Sequence, residues 1–86
     1  MKNKVLIKLI IPEFGTSYDV FIPVNEYVWK VKKLAIKSIS DITSVPLDIN
    51  MNCYLLNKCS CVFYNDNDIV INTDIRNGTE IFLISV

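Results

Sequence analysis

The chain has 86 residues, 51% of them hydrophobic, and its nine basic and nine acidic residues give a formal charge of zero. That length suits one domain, 1–86, with one core. The balanced charge excludes a nucleic-acid binder driven by phosphate neutralisation, and two glycines and three prolines exclude a disordered composition.

Lys4 to Ile11 alternates, with Val5, Ile7, Leu9 and Ile11 on one side and Lys4, Leu6, Lys8 and Ile10 on the other. This predicts a strand with one buried face and one mixed face. The run is interrupted by Lys8 and stopped by Pro12, so it is too short to span a membrane, and no small-residue cleavage site follows it. Gly15 supplies the positive φ that a hairpin turn needs before Tyr18, Val20 and Ile22 line a second strand, which Pro23 ends.

Asn25 to Ile39 is the one long helical pattern. Tyr27, Val28, Val31, Leu34, Ala35 and Ile39 are expected on its apolar face, with Glu26, Lys30, Lys33 and Lys37 opposite. Asn25 is the expected N-cap, and Glu26 stands four residues before Lys30 for an ion pair. Trp29 and Ile36 fall on the shoulder of the helix, either covered by a later loop or free to anchor a partner.

Ser40 to Asp48, with Pro46, reads as a polar connection. Ile49, Met51, Cys53 and Leu55 alternate with Asn50, Asn52, Tyr54 and Leu56 in a third strand. A short strand is expected over Cys59 to Tyr64, a turn at Asn65 to Asp68, and an irregular stretch with a helical turn over 69–78. Ile81 and Leu83 alternate with Phe82 and Ile84 in the last strand. The order strand, strand, helix, strand, short strand, strand predicts an α+β, β-grasp fold. A mixed sheet of four to five strands packs on one helix, with the first and last strands side by side and parallel.

No catalytic constellation is visible. Cys59 and Cys61, with Cys53 nearby, lack the histidine or fourth thiolate of a zinc site, and Asp66 and Asp68 lack the length, glycine and closing Glu of a calcium loop. The chain is therefore read as non-enzymatic, with no metal and no cofactor. Three cysteines without framework spacing point to a reducing compartment, hence the cytoplasm. The informative group lies on the sheet. If Val5, Ile7, Leu9, Leu55, Ile81 and Leu83 face the helix, alternation sends Leu6, Ile10, Leu56, Phe82 and Ile84 to the other face. An apolar group left uncovered there marks a surface for another protein or for a second copy of the chain.

The opening hairpin, Val31-Lys32-Lys33-Leu34 in mid-helix, Leu55-Leu56 before a turn and the ending Ile75 to Leu83 resemble ubiquitin-like proteins over nearly the whole chain. The Tyr18 to Pro23 run and the compact C-terminus are most similar to the bacterial YukD/EsaB group, accessory proteins of type VII secretion. The resemblance implies a protein partner from a secretion system and agrees with a contact surface on the sheet. Ubiquitin and the sulfur carriers of the ThiS and MoaD kind end in a flexible Gly-Gly tail. Here the chain ends Leu83-Ile84-Ser85-Val86. The competing expectation is a carrier or conjugated protein lacking that tail.

Overall fold

The computed structural model describes residues 3–44 and 52–85. Its elements are β1 (Lys4–Ile11), β2 (Thr16–Pro23), α1 (Val28–Thr43), β3 (Cys53–Asn57), a 3-10 turn (Val70–Asn72) and β4 (Glu80–Ser85). The four strands form one mixed sheet in the order β2-β1-β4-β3. β1 is antiparallel to β2 and parallel to β4, and β3 is antiparallel to β4. The Ile49 to Met51 start expected for the third strand lies outside the described residues, as do Pro46 and Val86.

The β1–β2 hairpin turns through residues 12–15, where Gly15 has φ +62° and its N–H donates to the Pro12 carbonyl at 3.2 Å. The parallel pairing is started by Asn77 and Gly78. The Leu6 N–H donates to Asn77 Oδ1 at 2.9 Å, and the Gly78 N–H donates back to the Leu6 carbonyl at 2.8 Å. A side-chain amide thus takes a ladder position where β4 has not yet begun.

The helix starts later and ends later than its sequence pattern suggests. Asn25 is not its cap: Tyr27 holds that position in an extended conformation and makes no side-chain capping bond. The free amides at the N-terminus are taken by distant carbonyls instead. Val28 N–H donates to Asp68 O at 2.9 Å and Trp29 N–H to Asp66 O at 3.3 Å. These partners do for the first turn what a cap residue ordinarily does. The helix runs to Thr43, through part of the expected connection, and stops at Ser44 with φ +58°.

The core lies between helix and sheet. Ile7, Leu9, Ile11, Val20, Ile22, Leu55, Ile81 and Leu83 come from the strands, Val28, Val31, Ala35, Ile36 and Ile39 from the helix, and Val70 and Ile75 from the last connection. Three helix assignments are corrected. Leu34, expected inside, is 41% exposed, and Ile36, expected on the shoulder, is 1% exposed. Both lie about 100° from the centre of the stripe formed by Val28, Val31, Ala35 and Ile39, on opposite flanks. Which flank meets the core is decided by how the helix rolls on the sheet. Tyr27 shares the Leu34 flank and is likewise exposed.

The expected strand over Cys59 to Tyr64 is a turn followed by a single bridge, Leu56 to Phe63. Asn57 makes that turn. Its Oδ1 accepts from the N–H groups of Cys59 (2.8 Å) and Ser60 (3.1 Å), while its Nδ2 donates to Tyr64 Oη at 2.8 Å. Tyr64 Oη in turn donates to Asp74 Oδ1 at 2.6 Å. Asn57 is the buried polar side chain of the described core, and its amide is used on both ends. A buried amide satisfied in this way ties three separate segments together at little desolvation cost.

Candidate protein-binding face

Strand register turns the outer side of the sheet into rows. Ile10 is opposite Phe82 across the β1–β4 pairing, and Phe82 is opposite Leu56 across β4–β3. The Leu56–Phe63 bridge adds a further column, so Ile10, Phe82, Leu56 and Phe63 form one continuous apolar row. Ile84 and Tyr54 pair directly beside it, and Tyr54 meets Phe63 edge-on with ring centroids 5.8 Å apart. Tyr54, Phe63, Tyr64 and Asn65 line a shallow groove at that edge.

Of the five residues expected on this face, the structure brings Ile10, Leu56, Phe82 and Ile84 together, each half-buried. Leu6 is on the same face but apart from them. It pairs with Phe21, which is 53% exposed, and a charged row separates the two from the main patch. That row runs Asp19, Lys8, Glu80, Lys58 across β2, β1, β4 and the end of β3. Lys58 Nζ lies 3.0 Å from Glu80 Oε2, and its hydrogen bond and charge hold the Glu80 carboxyl below the ordinary range.

Phe63 and Tyr54, at 58% and 50% exposure, are exposed aromatic residues of this face that sequence reasoning passed over. Tyr54 stood on the same side as Leu56 in the period-two pattern and could have been included. Its ring is steadied by Lys32, whose Nζ lies 5.8 Å from the ring centroid, donates to the Cys53 carbonyl at 2.9 Å and is ion-paired with Asp66. Phe63 had no alternating run to reveal it.

On the helix, Trp29 stacks on Tyr27 with centroids 6.4 Å apart and has Lys33 Nζ 5.5 Å from its own ring centroid. Ile36 is buried, so it shares no surface with Trp29. Lys30 reaches Glu26 at 3.5 Å, as the spacing suggested. Cys53 is buried, which raises its thiol pKa, while Cys59 and Cys61 are free and exposed. Among the described residues no three histidine, cysteine, aspartate or glutamate side chains converge on a point that could hold a metal ion. No helix among them is long and apolar enough to cross a membrane.

No protein-family model matches the sequence, and no curated protein matches it. Solved structures do. A chain of the MycP5-free ESX-5 inner membrane complex superposes with a TM-score of 0.79 at 13% identity, over 98% of this chain and 21% of that one. This chain therefore spans about a fifth of that protein's length. The EccD5 ubiquitin-like domain from Mycobacterium xenopi gives a TM-score of 0.74 at 9% identity, covering 96% of this chain and 94% of that one. The UBL domain of Plasmodium falciparum Dsk2 gives 0.70 at 13% identity, with 96% and 99% covered. The hairpin, the helix and the mixed sheet with β1 beside β4 are accordingly a ubiquitin-like β-grasp fold.

Proposed function

We propose that this chain is a non-enzymatic, ubiquitin-like protein-interaction module that works through the outer face of its sheet. The observation that carries this reading is the row Ile10–Phe82–Leu56–Phe63 with Ile84 and Tyr54 beside it, an apolar surface that the helix does not cover. Apolar rows flanked by charge are what protein contacts use, with aromatic side chains at their centre. The partner is a component of a type VII-like secretion apparatus in a bacterial cytoplasm, and the chain is an accessory of the YukD/EsaB kind. The likeness to a chain of an ESX-5 complex and to an EccD5 domain supports the link to type VII-like secretion.

A photo-crosslinking side chain placed at Phe63 in the native host, with Leu34 on the helix as the control position, tests the reading. Phe63 should yield a discrete protein adduct, identified by mass spectrometry, that Leu34 does not. An absence of adducts at Phe63, or the same adducts at both positions, would remove the outer face as the contact surface.

A further inference from the structure

The charged row on the outer face has an order that points to its occupant. Across the sheet it reads Asp19, Lys8, Glu80, Lys58, that is minus, plus, minus, plus. Among the described residues Lys58 and Glu80 close an ion pair, whereas Asp19 and Lys8, both exposed, close none.

Two sheets packed face to face keep their strands roughly aligned, about 10 Å apart. A pair of identical copies can do this with its two-fold axis along the row or along the strands. The first choice sets every charge against itself. The second reverses the column order: Asp19 meets Lys58 of the second copy, and Lys8 meets its Glu80. Every charge in the row then faces its opposite. The same operation lays Ile10 against Phe82 of the second copy and Leu56 against its Ser17, so the apolar contact is centred on Ile10 and Phe82.

We propose that the outer sheet face pairs with a second copy of this chain, about a two-fold axis parallel to the strands and running between β1 and β4. This rests on the reading of that face as a contact surface and names a second copy as what covers it until a secretion component takes its place. The interface is isologous, as two-fold interfaces are. Its charges select register and orientation while the apolar rows supply the attraction. One four-stranded face is small beside a standard interface, so pairing is weak and follows concentration.

The test uses charge reversal and needs no other partner. Wild type, Lys8→Glu and Glu80→Lys are followed by sedimentation equilibrium from about 10 μM to about 1 mM, a range suited to weak self-association. Circular dichroism confirms that each variant is folded. Wild type should rise from the 9.9 kDa monomer towards twice that mass. Each variant alone places like charges at the centre of the face, and should require at least about tenfold higher concentration to pair. Mixed in equal amounts, the two variants set a carboxylate against an ammonium at both central positions, and pairing should return. A wild type that stays monomeric throughout overturns the proposal, as do variants that associate like wild type or a mixture that fails to recover. If wild type is monomeric while Phe63 still crosslinks to a different protein, only the self-pairing falls. If both fail, the contact surface itself is refuted.

Discussion

The two faces of the sheet carry apolar side chains in alternation, yet they are finished differently. The inner face is closed: Ile7, Leu9, Leu55, Ile81 and Leu83 are each no more than 2% exposed beneath the helix. The outer face is open, and its apolar residues are interrupted by a full row of alternating charge. A core tolerates no such row, since each buried ion loses its hydration for an imperfect return. An exposed surface does tolerate it and can use it to fix orientation. Neighbouring residues on one strand are thus held by different constraints, stability for the inner set and, on the proposed reading, recognition for the outer.

A large effect that could break this division is expected at the helix. Ile36→Ala should cost about 2–5 kcal/mol, because it empties a closed site, while Leu34→Ala two residues away should cost under about 1 kcal/mol. Chemical denaturation midpoints of the two variants compare them directly. Equal losses would mean that the helix is rolled differently on the sheet.

A smaller effect is expected where the outer face gains its last column. Asn57→Ala removes the amide that holds the 58–64 return, and should cost about 1–3 kcal/mol. Hydrogen exchange should show the Tyr64 amide, which donates to the Leu55 carbonyl at 3.0 Å, losing protection before the β1–β2 ladder does. Uniform loss across the sheet would instead make Asn57 a support of the whole fold.

The smallest effect is a pH dependence in the same network. Burial, then the hydrogen bond to Asp74, raises the Tyr64 phenol to about 12 from an ordinary value of 10.0. The folded state therefore favours the protonated phenol. Its contribution is fully present below pH 10 and fades as pH rises towards about 12. Tyr64→Phe should flatten that part of the alkaline unfolding curve, and an unchanged curve would show that other groups govern it.

How far these features could be read beforehand follows from the period of each element. Strand alternation has period two, so it placed Ile10, Leu56, Phe82 and Ile84 opposite Leu55, Ile81 and Leu83 without ambiguity. It could not show that Lys8 and Glu80 stand in one row between Leu6 and Ile10, because register belongs to the pairing of two strands. Phe63 escaped because its strand is a single bridge long. The helix start was misplaced for a related reason. The carbonyls that satisfy its first amides come from Asp66 and Asp68, some forty residues further along the chain. Nothing local to Asn25 signals them.

The central claim is that successive residues of β4 serve the fold and the contact in turn, and a paired measurement on that strand tests it most directly. Leu83→Ser and the double variant Phe82→Ala, Ile84→Ser are each assayed by thermal unfolding and by the adduct captured through Phe63. Leu83→Ser should abolish the cooperative transition, since a void and an unpaired hydroxyl together approach the whole stability of a small domain. The double variant should lose part of its stability, because both side chains are half-buried, but keep a cooperative transition and lose the adduct, the contact weakening by more than ~2 kcal/mol. A double variant as unstable as Leu83→Ser, or one that is stable and keeps the adduct, would contradict the account.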